Sequence, residues 1–207
     1  MDFFVSALVL GLVLWSIKSR AERHRIMLLA LQLHPYEIER LMQQINEGYL
    51  RALGENDGQR RASIWQVLEP AEHKLAEQMG RLAQGFGQLP AAQTGIIRLP
   101  LPWLLEKLAL LAPSMLARWR LDMRELLDLH AQGIARAVQA SGRSPSARAY
   151  TILAELLLMQ HSCHWFCKSH ALASARLLAR HQSSYEKVLA SVDASTRQAY
   201  LRLVKQG

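Results

Sequence analysis

The sequence predicts an all-α protein, with one N-terminal transmembrane helix followed by a cytoplasmic helical bundle. The bundle is expected to contain a long helical hairpin, with arms at about 113–141 and 145–185. Two observations predict this class. An uncharged apolar run covers residues 3–17, and a basic block at residues 18–25 follows it at once. Beyond the block, apolar side chains recur at helical spacing, and no segment shows the alternation of a half-buried strand.

The apolar run predicts a membrane anchor. Ten of its residues are Phe, Val, Leu or Ile, which together favour the bilayer by about 3–6 kcal/mol. As a helix the run rises only about 22 Å, against a hydrocarbon core of about 30 Å. We therefore expect the helix to continue through the basic block into residues 26–33 and to tie the anchor rigidly to the domain. The bilayer, through residues 3–17, is the first predicted partner.

The basic block sets the predicted orientation. Its four cations are Lys18, Arg20, Arg23 and Arg25, and the only charged side chain before the run is Asp2. The positive-inside rule places such a block in the cytoplasm, so the N-terminus is expected outside. The sequence therefore predicts a single-pass protein of the bacterial inner (cytoplasmic) membrane, with its C-terminal domain in the cytoplasm.

Two other interpretations of the run compete with the anchor. A cleaved signal peptide needs positive charge before the run and small residues at a cleavage site, and Ser19-Arg20-Ala21-Glu22 suits cleavage poorly. A run shorter than about 18 residues is also compatible with a buried core helix. The basic block directly after the run favours the anchor over both alternatives.

Composition and charge divide the chain into segments. These are an anchor with its basic flank (1–25), a first helical segment (26–84), a connection rich in Pro and Gly (85–102) and a basic C-terminal helical segment (103–207). Residues 26–207 are expected to form one domain. Most of the net charge of +8 lies from residue 118 onward, where the sequence contains 13 Lys and Arg but only 6 Asp and Glu. Two cysteines in 207 residues suit a reducing cytoplasm.

The first segment is predicted to contain two helices. Pro35 opens an amphipathic helix, which a polar loop at residues 54–58 ends. A second helical stretch covers residues 61–84, and Pro70 is expected to divide or kink it. Residues 85–102 carry three glycines and three prolines, which predicts irregular structure. The predicted inner positions of the two helices are Ile38, Leu41, Met42, Ile45, Tyr49, Leu53, Leu75, Met79 and Leu82.

The C-terminal segment is predicted to begin with a short apolar helix at residues 103–111. Pro113 then begins the first arm of the hairpin and Gly142 ends it, while Ser144 and Pro145 act as the N-cap and first residue of the second arm. Such a short connection predicts antiparallel arms. The buried stripe of the first arm is predicted to be Leu116, Trp119, Met123, Leu126, Leu127, His130 and Ile134.

One stretch, residues 161–170, concentrates side chains with metal-binding chemistry. On a continuous helix Cys163, Cys167 and His170 fall within about 60° of one another, and His130 of the other arm is a further candidate ligand. Thiols and imidazoles are what a metal or haem site needs. Packing is nevertheless the preferred interpretation of this stretch, since cysteine behaves as a small buried apolar residue and the helix around it is almost wholly apolar. No catalytic residue and no cofactor are predicted, because the common catalytic and nucleotide-binding motifs are absent.

Glu155 is a carboxylate set among leucines in the second arm of the hairpin. If it is buried, we expect an Arg or His partner across the hairpin, or a raised pKa. No second carboxylate stands nearby in sequence. A structural ion pair is therefore a better interpretation of Glu155 than general acid–base catalysis.

Three classes of function remain open at this point. The first is a non-enzymatic interaction or scaffold protein whose helical cytoplasmic domain binds a protein partner. The second is a metal- or haem-binding redox protein that uses Cys163, Cys167 and His170. The third is an adaptor that binds anionic lipid or nucleic acid through its basic C-terminal half. The first is preferred because the anchor and the helical domain fit it, and no small-molecule substrate is indicated.

Overall fold

The computed structural model describes residues 2–97 and 120–205, and within them it confirms the all-α class. The predicted helix at 103–111 and the start of the predicted hairpin arm, 113–119, lie outside the described residues. The described elements, in chain order, are α1 (Asp2–Leu33), α2 (Ile38–Gly54), α3 (Gly58–Gly87), α4 (Ala91–Thr94), β1 (Gly95–Ile97), β2 (Arg120–Asp122), α5 (Met123–Gln139), α6 (Pro145–Cys167), α7 (His170–His181), α8 (Tyr185–Ser191) and α9 (Ala194–Lys205).

The first helix, α1, is continuous over 32 residues, which confirms that the helix formed by the apolar run continues through the basic block. At 1.5 Å per residue it is about 48 Å long. It is long and apolar enough to cross a membrane. Side chains of its first half are exposed, for example Phe4 at 79% and Leu8 at 65%. The alternative of a buried core helix is therefore wrong for this half of α1.

The second half of α1 packs against the domain along one side. Leu29 is buried, and Glu22 forms an ion pair with Lys168, directly after α6. The guanidinium carbon of Arg25 lies 5.9 Å from the ring centroid of Phe166. Glu22, Arg25 and Leu29 are spaced by three and four residues, so they share one face of the helix. One continuous helix therefore joins the exposed apolar half of α1 to the domain, as expected.

The pair α2 and α3 forms the next layer of the core. α2 begins at Ile38, three residues after Pro35, and Asp57 caps α3 by accepting hydrogen bonds from two backbone N–H groups. Gly48 allows the two helices to approach closely, because a Cβ at this position would lie 2.3 Å from Cδ2 of Leu68. The predicted inner positions that are buried are Ile38, Leu41, Ile45, Tyr49, Leu75, Met79 and Leu82.

The chain around α3 differs from expectation at two places. Of the two expected effects of Pro70, division of the helix does not occur, because α3 continues from Gly58 to Gly87. Pro70 is on the exposed side, where the carbonyl that loses its N–H donor can bond to water. The stretch from residue 85 is also more regular than expected, since Gly85 and Gly87 belong to α3 and are followed by α4 and β1.

The two short strands pair antiparallel, with buried Ile96 opposite buried Leu121. Residues 120–122 are therefore a strand, so the first hairpin arm does not run unbroken from residue 113. Asp122 explains why α5 begins at the next residue. Its carboxylate accepts hydrogen bonds from the backbone N–H and the guanidinium of Arg124, and such an N-cap starts a helix.

Helices α5 and α6 form the predicted hairpin. Ser144 caps α6 by accepting a hydrogen bond from a backbone N–H, and Pro145 is its first residue, as predicted. The second arm is shorter than expected, because Lys168 leaves helical geometry with φ −135° and ψ −93°. The Ser169 hydroxyl then caps a separate helix, α7. Described members of the predicted first-arm stripe that are buried are Met123, Leu126, Leu127, His130 and Ile134.

Candidate functional site

The break between α6 and α7 divides the predicted metal cluster. Cys163 and Cys167 lie on α6 and are half-buried, whereas His170 begins α7 on the other side of the break. The thiol of Cys163 donates to Sδ of Met159 at 3.6 Å. Among the residues that the structure describes, no group of three His, Cys, Asp or Glu side chains is placed to hold a metal ion.

Burial keeps both thiols protonated. It raises the pKa of Cys163 to about 12, and the neighbouring Cys167 adds to that shift. Burial also raises the pKa of Cys167 to about 11, against the opposing effect of Arg25 and Arg176. The thiolate is the form that binds metals and attacks electrophiles. At neutral pH both cysteines are therefore poor ligands and poor nucleophiles.

His161 lies in a ring cluster that joins α6, α7 and α8. Its ring centroid is 4.8 Å from that of His170 and 4.6 Å from that of Tyr185. Its Nε2 atom hydrogen-bonds the Ser174 hydroxyl at 3.0 Å. Burial, followed by the neighbouring imidazoles, lowers the pKa of His161 to about 4, so the ring is neutral at pH 7. Side chains of the predicted metal-binding stretch, residues 161–170, thus pack between three helices.

His130 connects the two hairpin arms. Its Nε2 atom lies 2.8 Å from Oγ of Ser162, whose hydroxyl donates to the carbonyl of Leu158 at 3.1 Å. Since the serine has one hydroxyl hydrogen, the imidazole donates from Nε2. Burial, and after it His161, lowers the pKa of His130 to about 3. The side chain is a neutral, buried hydrogen-bond donor, which is a packing role.

Glu155 is fully buried, and its carboxylate meets the start of α9. The backbone N–H of Asp193 donates to its Oε1 at 3.1 Å, while Arg136 donates to the neighbouring Thr196 hydroxyl at 3.2 Å. Burial raises the pKa of Glu155 to about 7, although Thr196, Asp193 N–H and Arg136 oppose the shift. The raised pKa agrees with one of the two expected outcomes. The hydrogen-bond partner is the backbone at α9, and not a side chain across the hairpin.

Gly133 of α5 makes room for this carboxylate. A Cβ at Gly133 would lie 2.5 Å from Oε2 of Glu155 and 2.8 Å from Oγ1 of Thr196. We expect Gly133→Ala to lower the free energy of unfolding by about 1–3 kcal/mol, because the buried carboxylate must move. Denaturant unfolding of the full-length protein in detergent measures the change.

Gly80→Ala is the matched control for this substitution. Gly80 is also inside a helix, and a Cβ there meets nothing within 4 Å. Alanine at Gly80 is expected to stabilise the protein by about 0.5–1 kcal/mol through helix propensity. Equal effects of the two substitutions would show that the contact with Glu155 imposes no constraint.

A second buried carboxylate, Glu72 of α3, was missed by the sequence analysis. It is 1% exposed and binds two groups from other helices. The Tyr49 hydroxyl donates to Oε1 at 2.7 Å, and Nη2 of Arg148 lies 3.2 Å from Oε2. Burial, and after it Glu72, raises the pKa of Tyr49 well above its usual value. The sequence signal was the place of Glu72 on the apolar stripe between Leu68 and Leu75.

A cavity of about 370 Å³ lies between α6 and α7. Arg176 and Arg180 were not singled out from the sequence, although a spacing of four residues puts both on one helix face. These arginines lie beside the histidines of α6 because the chain turns back at Lys168, and the only local signal for this turn is Ser169, a residue type that favours the N-cap of a new helix. The basic and imidazole side chains that line the cavity are His161, His164, Arg176, Arg180 and His181.

Comparison with protein-family models, curated proteins and solved structures gives no significant match. A functional proposal for this chain therefore depends on three of its own features. These are the exposed apolar half of α1, the buried polar groups that connect the helices, and the basic cavity between α6 and α7.

Proposed function

We propose that this protein is a non-enzymatic, single-pass inner-membrane protein whose helical domain binds a protein partner in the cytoplasm. The observation that carries the proposal is the division of α1 into two halves. Its first half exposes apolar side chains, while its second half packs on the domain through Leu29 and the Glu22–Lys168 ion pair. Such a helix holds the domain at a set distance from the bilayer, where a flexible tether would let it move away.

The charge of α1 supports the proposed orientation. Lys18, Arg20 and Arg23 are exposed between the apolar half and the docked half of the helix. Basic side chains at this position favour the cytoplasmic head groups of a bilayer. Cleavage as a signal sequence is the competing interpretation of the same helix. The contacts of Glu22 and Leu29 favour retention of the intact helix, because cleavage after the apolar run would cut α1 next to them.

Exposed apolar side chains support a protein partner. Met27 is 60% exposed and Leu31 is 65% exposed, and their spacing of four residues puts them on one face of α1. Val67 of α3 is 72% exposed beside a groove of about 650 Å³ between α2 and α3. Apolar side chains presented at helical spacing are the anchors that helical partners use.

The use of reactive groups in packing supports a non-enzymatic role. The Cys163 thiol is directed at Met159, and His130 donates to Ser162. Glu155, the carboxylate with a raised pKa, accepts a hydrogen bond from the backbone at the start of α9. Each of these groups already has a structural task in the helical domain.

We expect Val9→Arg to release the protein from membranes. Val9 is in the exposed apolar half of α1. Arginine near a helix centre costs about 3 kcal/mol on the insertion scale, which is at least half of the gain of about 3–6 kcal/mol that the run contributes. The measurement is the fraction of protein that stays in the membrane pellet after an alkaline wash.

The matched control is Leu50→Arg. Leu50 is an exposed apolar residue of α2, so the control adds the same charge outside α1. The control is expected to remain in the pellet with the wild-type protein. If Val9→Arg also remains there, α1 is not the anchor.

The orientation and the partner need separate experiments. A fluorescent protein fused to the C-terminus is expected to fluoresce in cells, whereas alkaline phosphatase at the same place is expected to be inactive. The intact mass of the purified protein distinguishes an uncleaved anchor from a signal sequence. Full-length protein extracted from membranes is expected to co-purify with a stoichiometric protein partner, and its absence would remove the partner-binding part of the proposal.

A further inference from the structure

The cavity between α6 and α7 is strongly basic. Gln160, His161 and His164 line it from α6, and no Asp or Glu of the described part of the chain lines it. The second half of α7 provides the opposite wall, with Arg176, Leu177, Ala179, Arg180 and His181. A concave site of this size with a few convergent polar groups is typical of a small-ligand site.

The two arginines of this cavity have no counter-ion among the residues that the structure describes. Within residues 2–97 and 120–205, neither Arg176 nor Arg180 has a carboxylate within 4.0 Å. Two cations spaced four residues apart on a helix destabilise it slightly, so a bound anion would be stabilising. Their positive charge also acts on His164, whose pKa is lowered by burial first and by Arg176 and Arg180 next.

Histidine adds neutral hydrogen-bonding groups to these charges. The Nε2 atom of His161 is taken by Ser174, and its Nδ1 atom is buried with no hydrogen-bond partner in the structure. Both ring nitrogens of His161 are therefore inaccessible, and the imidazoles that a ligand in the cavity can reach are the half-buried His164 and the exposed His181. Arginine guanidinium groups, together with imidazoles, can donate hydrogen bonds to the several oxygen atoms of a phosphate group.

The cavity is close to the base of the membrane helix. Lys168, which follows α6, pairs with Glu22 of α1. His164 and Gln160 precede Lys168 by four and eight residues, or about 6 and 12 Å along the axis of α6. The basic block of α1, which is expected at the head groups, begins four residues before Glu22. A phosphate group at the membrane surface is therefore within reach of this part of the domain.

We propose that the cavity between α6 and α7 is a phosphate-binding site, formed by Arg176 and Arg180 with His164 and His181. The phosphate is either that of an anionic lipid head group or a free phosphate from the cytoplasm. The site is independent of the proposed protein partner, because it requires neither that partner nor the groove between α2 and α3.

The test uses full-length protein in phosphatidylcholine nanodiscs. One arm titrates inorganic phosphate by calorimetry. The other arm measures the unfolding temperature in nanodiscs that also contain phosphatidylglycerol, since a ligand that binds the folded state raises this temperature. Saturable binding of inorganic phosphate identifies a free phosphate as the ligand. A rise in unfolding temperature with phosphatidylglycerol alone identifies a lipid head group.

The double variant Arg176→Gln/Arg180→Gln is expected to bind the phosphate group at least about tenfold more weakly, through loss of two charge-assisted hydrogen-bond donors. The loss is measured in whichever arm of the test shows binding by the wild-type protein. Arg60→Gln/Arg61→Gln removes the same charge from the exposed start of α3 and is expected to bind like the wild type. Glutamine retains helix propensity, and equal unfolding temperatures without anion show that both variants fold. No binding by the wild-type protein in either arm, or equal losses in the two variants, overturns the proposal.

Discussion

Replacement of Glu72 by alanine is expected to lower the free energy of unfolding by about 3–5 kcal/mol. Glu72 is 1% exposed and holds the Tyr49 hydroxyl at 2.7 Å and the Arg148 guanidinium at 3.2 Å. Its removal leaves a buried hydroxyl and a mostly buried cation without their partner. Three helices, α2, α3 and α6, lose their common polar contact at once.

Denaturant unfolding of the full-length protein in detergent measures this loss, and Glu69→Ala is the control. Glu69 is one turn earlier on α3 and its side chain is 56% exposed, so its removal is expected to cost within about 0.5 kcal/mol. Arg148→Ala and the double variant complete a double-mutant cycle with Glu72→Ala. A coupling energy near zero in that cycle would contradict a direct ion pair between Glu72 and Arg148.

The second large effect is expected for the free energy of unfolding as a function of pH. Glu155 makes this free energy fall as the pH rises, and Glu155→Gln is expected to remove that fall. In the folded protein the pKa of Glu155 is raised from 4.5 to about 7. The contribution of Glu155 is complete below pH 4.5, where the carboxyl is protonated in both states. Between pH 4.5 and about 7 the carboxyl ionises in the unfolded chain but stays protonated in the folded protein, which lowers the free energy of the unfolded state alone. The contribution is then lost, and the loss is about 3 kcal/mol.

Glutamine at this position keeps an oxygen that can accept from the N–H of Asp193 and carries no proton to lose. The variant is therefore expected to unfold like the wild type near pH 4.5 and to be more stable by about 3 kcal/mol above about pH 7. His130 and His161 act in the opposite direction, since their lowered pKa values remove stability as the pH falls below 6.5. Their effect cancels in the difference between variant and wild type.

Unfolding curves of both proteins across this pH range provide the measurement. Glu125→Gln is the control, because it removes a carboxylate that is exposed on α5. A difference for Glu155→Gln that is constant with pH would mean that folding does not raise the pKa of Glu155.

Features set by local pattern were predicted well. The continuation of α1 through the basic block follows from helical propensity and from the length a bilayer requires. Ser144 and Pro145 start α6 as expected, because capping depends on atoms within one turn. The buried stripes of α2, α3 and α5 follow from the period of the helix, which any sequence displays directly.

Features that depend on distant neighbours were predicted poorly. Pro70 stays within α3 because its side of the helix faces solvent, and the packing of the whole bundle decides which side that is. The strand at residues 120–122 exists because residues 95–97 pair with it. The break at Lys168 likewise coincides with its ion pair to Glu22, which is 146 residues away in the chain.

The sequence by itself determined the helical class, the long apolar helix at the N-terminus and the turn of the hairpin, because periodicity and caps act over a few residues. Tertiary structure alone decided which polar side chains contact one another. Glu72 lies against Tyr49 and Arg148, Glu155 against the start of α9, and the arginines of α7 beside the histidines of α6. These meetings depend on the register between helices that are distant in the chain, and no local pattern specifies that register.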